Sequence, residues 1–101
     1  MKKVLFILIF VFFTNNTFAD DKLALGLDVY NNKAICGTCH ILEAAGSAGE
    51  IGPNLDMLKP QISLIINAVT DGIGVMPAWE GILTTEEIEA VAYYVFNSTN
   101  K

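Results

Sequence analysis

The sequence predicts a small all-α domain, and three observations support this prediction. Apolar residues recur at helical spacing in the middle of the chain, at Ile62, Ile65, Ile66 and Val69. Thr84 is followed three residues later by Glu87, which is the capping-box signature of a helix N-terminus. No stretch alternates apolar and polar residues over the length of a strand. A chain of 101 residues has room for one such domain.

The first predicted helix covers about residues 21–31. Leu23, Leu27 and Tyr30 recur at steps of four and three residues, so they are expected to form one apolar face. Gly26 lies four residues before Tyr30, which places its bare backbone beside the tyrosine ring. The domain is therefore predicted to begin with a helix whose contact face includes a glycine.

Two further helices are predicted, separated from the first by a loop. Residues 44–55 are rich in small residues and are interpreted as that loop. Pro60 suits the first turn of the middle helix, and Gly72 suits its end. The last helix begins at Thr84 and is expected to bury one apolar face, formed by Ile88, Val91, Ala92 and Val95.

The N-terminal segment is predicted to be a secretory signal peptide. Two lysines precede an unbroken apolar run over residues 4–13, and Thr17 and Ala19 supply the small residues that a signal peptidase recognises. Cleavage of residues 1–19 leaves a mature domain of residues 20–101, and periplasmic localisation is expected. The apolar run is too short to span a bilayer comfortably, so an uncleaved membrane anchor is the weaker alternative and no stable membrane insertion is expected.

The mature domain is strongly acidic. The chain has 11 Asp and Glu, six Lys and no Arg, and loss of Lys2 and Lys3 leaves a net charge of −7 with the histidine neutral. Without arginine and with this charge, nucleic acid is not an expected partner. One His and two Cys are too few for a structural zinc site unless carboxylates complete it. The acidic surface is expected to attract basic protein partners over long range.

All cysteines and the single histidine fall within five consecutive residues, Cys36-Gly37-Thr38-Cys39-His40. This Cys-x-x-Cys-His pattern is typical of c-type haem attachment. Two thiols three residues apart can form thioethers with the two vinyl groups at one porphyrin edge, and the histidine that follows can ligate the iron. The residues alone leave two alternatives open: a disulfide, and a thioredoxin-like redox pair, which would need a preceding strand.

The second axial ligand of such a haem decides between electron carrier and catalyst. Met57 and Met76 are the candidates that remain after the signal peptide. Met76 lies among glycines and precedes Pro77, in a segment that can pass close to a flat ligand and is stiffened by the proline. Met57 is interpreted as core filler, so Met76 is favoured as ligand. The alternative is an open distal site in a haem enzyme or gas-binding protein, with Glu80 as the candidate distal acid or base.

The attachment motif near the start of the mature chain and the Met-Pro segment past its middle resemble those of class I monohaem cytochromes c, over about residues 23–96. The resemblance implies the class I cytochrome c fold, with three main helices around one covalently attached haem c and with the N- and C-terminal helices crossing. It also implies that Tyr93 or Tyr94 packs against Gly26 and Tyr30. Five residues separate Tyr30 from Cys36, where many members have three, so the end of the first helix is expected to differ.

The same resemblance implies roles for three further residues as cofactor-binding residues. The carbonyl of Pro53 would accept the imidazole N–H of the axial ligand His40, and Leu55 would pack against the haem. Trp79 matches an aromatic residue near a haem propionate, and the alternative for Trp79 is a simple core position. The haem edge is expected to be exposed and flanked by Ala34, Gly37, Thr38, Val75 and Pro77.

The function that follows is single-electron transfer and not enzymatic catalysis. Six-coordinate iron ligated by His40 and Met76 would offer no open site, and thioether ligation favours the ferrous state. The expected partners are redox proteins, an electron donor and an electron acceptor. The donor would be a dehydrogenase or a quinol-oxidising complex. The protein would act as a free carrier or as the detachable haem subunit of a periplasmic dehydrogenase.

Overall fold

The computed structural model describes residues 17–101. These residues form four helices, α1 (Thr17–Asp28), α2 (Leu55–Leu58), α3 (Ile62–Asp71) and α4 (Thr85–Thr99). Two short strands, β1 (Ile41–Leu42) and β2 (Ser47–Ala48), pair antiparallel. The predicted architecture of three main helices is confirmed. The domain also contains a β-hairpin, which shows no alternating pattern in the sequence because each strand has only two residues. The predicted signal peptide lies outside the described residues except for residues 17–19.

Helices α1 and α4 cross at Gly26. A Cβ atom at Gly26 would overlap the carbonyl oxygen of Ala90 and would lie 2.5 Å from the Cβ atom of Tyr94, so only glycine permits this approach. One turn later, the ring centroid of Tyr30 lies 6.0 Å from that of Tyr94. The predicted crossing is therefore present, and of the two candidate tyrosines it is Tyr94 that packs against Gly26 and Tyr30. None of the helices in residues 17–101 has the length and apolar character needed to cross a membrane.

The predicted apolar face of α1 is wrong at one position. Leu27 is 38% exposed, whereas Val29 and Tyr30 are fully buried and Leu23 packs against the core. Because Gly26 must face α4, the next residue is rotated by about 100° around the helix axis and points away from the crossing. The close helix approach, and not the periodicity of the leucines, sets the rotation of α1.

The chain after α1 continues into a single π-helical turn, Val29–Lys33. The amide of Ala34 donates to the carbonyl of Val29, five residues back, at 2.8 Å. This wider turn absorbs the extra residues before the first cysteine. It also buries Ala34 in the core, and a position of Ala34 beside an exposed haem edge stays a prediction. Ile35 then adopts left-handed backbone (φ 42°), a costly conformation for a β-branched residue.

Helix α3 begins one residue after its N-cap, Gln61, and ends at its C-cap, Gly72, as predicted. Pro60 lies before the cap and not in the first turn, where it was predicted. Proline is tolerated there because its missing N–H is not required by the helix. The predicted stripe lies on the inner side of the helix: Ile65 and Val69 are buried, and Ile62 and Ile66 are partly buried against the core.

The segment predicted as a loop, residues 44–55, contains β2 and ends at the first residue of the one-turn helix α2. The Asn54 side chain caps α2 by accepting a hydrogen bond from the amide of Met57 at 3.2 Å. Leu55 is buried on the inner side of this turn. Met57 is 78% exposed on the outer side, so its interpretation as core filler is wrong. In a helix of one turn, only the residue that faces the protein is covered.

Helix α4 begins with the predicted capping box. The amide of Thr84 donates to Oε1 of Glu87 at 2.9 Å, and the amide of Glu87 donates to Oγ1 of Thr84 at 3.1 Å. Nζ of Lys33 lies 3.4 Å from Oε2 of Glu87, which ties the π-helical turn to the start of α4. The four residues of the predicted buried face are all buried: Ile88, Val91, Ala92 and Val95.

We expect the contribution of Glu87 to stability to disappear in acid. The hydrogen bond from the Thr84 amide, together with the Lys33 ammonium, holds the pKa of Glu87 below its ordinary value. The stabilisation is therefore complete above the pKa of the unfolded chain, about 4.3, and is lost as the pH falls through the folded-state pKa. Urea unfolding of the haem-loaded protein should show that Glu87→Gln lowers the free energy of unfolding at pH 7 and that this deficit narrows toward pH 3.

The control for this measurement is Glu89→Gln, because Glu89 is exposed on the same helix and lies outside the capping box. It should lower the free energy of unfolding less than Glu87→Gln does at pH 7. A deficit for Glu87→Gln that does not change with pH would contradict the expected role of the ionised carboxylate.

Candidate functional site

The two cysteines and the histidine lie on a tight turn that directly follows the left-handed residue Ile35. Cys36–Thr38 form a 3₁₀ turn, and the amides of Cys39 and His40 both donate to the carbonyl of Cys36 at 3.1 Å. Both thiols are free and half-buried, so no disulfide joins them. The turn therefore presents two thiols and an imidazole within five consecutive residues.

The environment of Cys36 does not suit a redox-active thiol pair. Burial is the main cause that raises the pKa of the Cys36 thiol, to about 11. In nucleophilic Cys-x-x-Cys pairs the reactive thiol has a lowered pKa, because the thiolate is the attacking species. In the part of the chain that the structure describes, the motif follows a helix and a π-helical turn and not a strand. Both observations weigh against the thioredoxin-like alternative.

The imidazole of His40 is oriented by the chain segment that follows the β-hairpin. Its Nδ1 lies 2.8 Å from the carbonyl oxygen of Pro53. Because a carbonyl oxygen can only accept, Nδ1 carries the proton and Nε2 keeps a lone pair for a metal ion. A hydrogen bond of this kind fixes the ring of a ligating histidine and makes it a stronger donor. The structure thus brings Pro53 and His40 together.

Gly52 is a site residue that sequence reasoning missed. A Cβ atom at Gly52 would lie 2.6 Å from Cε1 and 3.0 Å from Nδ1 of His40, so the backbone lies directly against the imidazole ring. The amide of Gly52 also donates to the carbonyl of Cys39 at 2.7 Å. The available signal was a glycine directly before Pro53, because a close backbone approach to a flat ring requires the absence of a side chain.

Met76 closes a tight hairpin. Its amide donates to the carbonyl of Ile73 at 2.8 Å, and the amide of Ile73 donates to the carbonyl of Met76 at 3.1 Å. Gly74 supplies a left-handed position in the turn (φ 57°), and Val75 at the tip is 86% exposed. The Met76 side chain is half-buried and packs against the core. The backbone around this thioether is therefore held on both sides.

The Met76 hairpin is anchored to the end of α3. Gly72 adopts φ 78° and ψ 161°, and the amide of Trp79 donates to the carbonyl of Val69 at 2.8 Å. The Trp79 side chain is half-buried and packs against the core. This contact is the one expected if Trp79 occupies a simple core position. A role of Trp79 beside a haem propionate stays a prediction. Leu55, the other predicted haem contact, belongs to the buried core at the start of α2.

The residues present fit a covalently bound haem. Two free thiols, an imidazole nitrogen with a lone pair and a methionine on a fixed hairpin form the donor set that such a group requires. Large apolar side chains beside these residues in the chain are exposed, namely Ile35, Ile51, Ile73 and Val75. Exposed apolar side chains in this number on a small domain fit a site at which an apolar group or a partner covers them.

Comparison with known proteins agrees with this fit. The family described as cytochrome c oxidase, cbb3-type, subunit III, matches residues 21–95. The chain is 35% identical over 89 residues to cytochrome c6 of Bryopsis maxima, covering 78% of this chain and 94% of that protein. It is 37% identical over 84 residues to the chloroplastic cytochrome c6 of Chlamydomonas reinhardtii, covering 73% of this chain and 53% of that protein, so it spans about half of that relative's length.

A solved structure resembles the chain more strongly. The crystal structure of the c-type cytochrome SorU from Sinorhizobium meliloti matches with a TM-score of 0.76 and 51% sequence identity. The match covers 81% of this chain and 95% of that chain. Sequence, fold and donor set thus agree, and the chain belongs to the class I monohaem cytochromes c, as a small electron carrier with one covalently bound haem c.

Proposed function

We propose that this chain is a periplasmic single-electron carrier in which His40 and Met76 ligate the haem iron. It takes electrons from a periplasmic dehydrogenase or a quinol-oxidising complex and delivers them to a terminal acceptor. The observation that carries the proposal is the contact between Nδ1 of His40 and the carbonyl of Pro53 at 2.8 Å. This contact leaves Nε2 as the nitrogen that can bind iron from within the attachment motif.

The attachment residues are proposed to be Cys36 and Cys39, whose thiols become the two thioethers. When bound, the haem supplies a one-electron couple at its iron. Covalent retention suits a domain of this size, which buries too little surface to hold a large group by packing alone. Pro53 orients the ring of His40, while Leu55 and Trp79 are the proposed apolar contacts to the haem.

The thioether sulfur of Met76 is the proposed second axial ligand. Its hairpin is held by the two hydrogen bonds with Ile73, and Pro77 restricts the backbone that follows. Thioether ligation stabilises reduced iron and therefore raises the reduction potential. If His40 and Met76 both ligate the iron, no position would be left for oxygen or peroxide. Electron transfer, and not catalysis, is the chemistry that this ligand set supports.

Electrons are proposed to enter and leave beside two exposed segments. Gly37 and Thr38 belong to the attachment turn, and Val75 and Pro77 flank Met76; Thr38, Val75 and Pro77 are exposed. None of these four residues is charged, so the docking of a partner at these segments is expected to depend on close packing and not on ion pairs. The acidic groups elsewhere on the domain would then act on the approach of a basic partner over longer range.

Residues 1–19 are proposed to direct export and to be cleaved from the exported chain. Residues 17–19 are the first residues of α1, where Phe18 is 81% exposed and Ala19 is half-buried. Their loss would therefore remove little packing from the helix crossing. The mature helix would begin with Asp20 and Asp21, whose carboxylates interact favourably with the positive end of the helix dipole.

Optical spectroscopy of the matured protein tests the proposed ligation. The ferric form should show the far-red band of a methionine–iron bond, and the ferrous form should not bind carbon monoxide. In Met76→Ala the far-red band should disappear and carbon monoxide should bind, because one axial position is then open. Met57→Ala is the matched control, since Met57 is the exposed methionine of the same domain, and it should behave as the wild type.

Two results would contradict the proposal. Carbon monoxide binding by the wild-type ferrous protein would mean that the distal position opens, which favours the haem enzyme or gas-binding alternative. Loss of the far-red band in Met57→Ala, together with an unchanged band in Met76→Ala, would mean that Met57 and not Met76 ligates the iron.

A further inference from the structure

A chain of hydroxyl groups connects the crossing of α1 and α4 to the backbone of His40. The hydroxyl of Tyr30 lies 2.9 Å from Oγ of Ser47. Oγ of Ser47 in turn lies 3.0 Å from the carbonyl oxygen of His40 and 3.4 Å from that of Leu42. A carbonyl oxygen only accepts, so the single Ser47 proton points toward these carbonyls, and Tyr30 must donate to Ser47.

Tyr30 is a rigid starting point for this chain. Its side chain is fully buried and packs against the ring of Tyr94. Burial raises the pKa of Tyr30 to about 12, so the hydroxyl keeps its proton and remains a donor at all physiological pH values. A buried hydroxyl without a partner costs free energy. The contact with Ser47 is therefore the arrangement in which Tyr30 can be buried without that cost.

Ser47 is equally constrained on its own side. It lies in β2, opposite Leu42 of β1, and its Cβ atom would be only 2.5 Å from a Cβ atom at Gly37. The amide of Gly49 donates to the carbonyl of His40 at 3.2 Å, so this carbonyl receives two hydrogen bonds from the β2 segment. The hairpin thus holds the backbone of His40 while Pro53 holds its ring.

We propose that Tyr30 and Ser47 are positioning residues that set the orientation of the axial ligand His40 through its backbone carbonyl. The inference rests on the proposed ligation of iron by His40. A ring held only at Nδ1 can still rotate with its backbone, whereas a second anchor at the carbonyl fixes the peptide unit as well. The hydroxyl chain ties this anchor to the most deeply buried part of the domain.

The test uses haem-loaded protein and the variants Tyr30→Phe and Ser47→Ala, each of which removes one hydroxyl. Proton NMR of the ferric form is the readout, because the spread of the four haem methyl resonances depends on the orientation of the axial ligands, and neither variant alters the other proposed ligand, Met76. Both variants should change this spread in the same direction, and the double variant should change it no more than Ser47→Ala alone. Amide exchange at Gly49 should become about fivefold faster, the size expected for one neutral hydrogen bond.

The matched controls are Tyr94→Phe and Ser98→Ala, each of which removes one hydroxyl of α4 that lies outside this chain of hydroxyl groups. They should leave the methyl spread unchanged, even where they lower stability as much as the test variants do. If Ser47→Ala and Tyr30→Phe behave as these controls do, the positioning role is wrong. If Tyr30→Phe does not mature, Ser47→Ala alone decides between the two results.

Failure of the proposed ligation would look different. A wild-type ferric spectrum without resonances of an iron-bound histidine ring would overturn the role of His40 itself, and with it this inference. A wild-type spectrum with those resonances, combined with unchanged spectra of both variants, would overturn the positioning role and leave the ligation intact.

Discussion

Gly26→Val is expected to destabilise the haem-loaded protein by about 3 kcal/mol or more, the upper range for overpacking. A Cβ atom at this position would overlap the Ala90 carbonyl oxygen and would lie 2.9 Å from the Ala90 carbonyl carbon. Backbone atoms within a helix, unlike side chains, have no alternative rotamer. The overlap can therefore be relieved only if α1 and α4 separate. Separation of these helices would also expose the Tyr30 and Tyr94 rings, which pack together in the same crossing.

Urea unfolding followed by circular dichroism measures this effect. Ala24→Val is the matched control, because Ala24 is exposed on the same helix and the change introduces the same β-branched side chain. It should cost only the difference in helix propensity, well under about 1 kcal/mol. Gly26→Ala should lie between the two. Equal free energies of unfolding for Gly26→Val and Ala24→Val would show that the helices do not approach as closely as the structure indicates.

Gly72→Ala is expected to have the second largest effect and to weaken the ligation by Met76. Gly72 lies in the region of positive φ that disfavours a side chain, at φ 78° and ψ 161°. A Cβ atom there would lie 2.7 Å from the carbonyl oxygen of Met76 and 2.8 Å from the amide nitrogen of Ala78. Both atoms belong to the backbone of the Met76 segment, so this segment must move. We expect a weaker far-red band and measurable carbon monoxide binding by the ferrous form.

Gly81→Ala is the control that separates displacement of the Met76 hairpin from the backbone strain of a side chain at positive φ. Gly81 has φ 87°, and a Cβ atom there would meet no atom within 4 Å. Both substitutions place a side chain at positive φ, at a cost of about 1–3 kcal/mol, but only Gly72→Ala displaces the hairpin. Optical spectra and urea unfolding of the two variants measure the difference. Identical spectra, with an undiminished far-red band in both variants, would contradict the expected coupling between Gly72 and Met76.

The helices could be predicted because their signals are local. The capping box of α4 needs only Thr84 and Glu87, which are three residues apart, and the stripe of α3 is a property of one helix surface. Gly72 ends α3 for a similarly local reason, since glycine can adopt a backbone conformation that is unfavourable for other residues. Such signals lie within one turn of the chain and do not depend on what the helix later packs against.

The features that the sequence did not reveal depend either on tertiary packing or on elements too short to produce a pattern. Leu27 is exposed because α1 is rotated to bring Gly26 against α4. Ala34 is buried because the π-helical turn pulls it into the core. Met57 is exposed because α2 is only one turn long and covers a single side. The short β-hairpin gives no periodic signal, since two residues per strand are too few to show an alternation.

The sequence by itself determined the chemistry of this protein, because Cys36, Cys39 and His40 are adjacent in the chain and their spacing alone defines the attachment pattern. It also determined that the domain has three main helices. Only the tertiary structure decided how these groups are held. The contacts of His40 with Pro53 and Ser47 join residues 13 and 7 positions apart, and each depends on where a turn or strand packs. The spacing of these residues along the chain indicates which groups can react. Their orientation depends on contacts that form only when the chain folds.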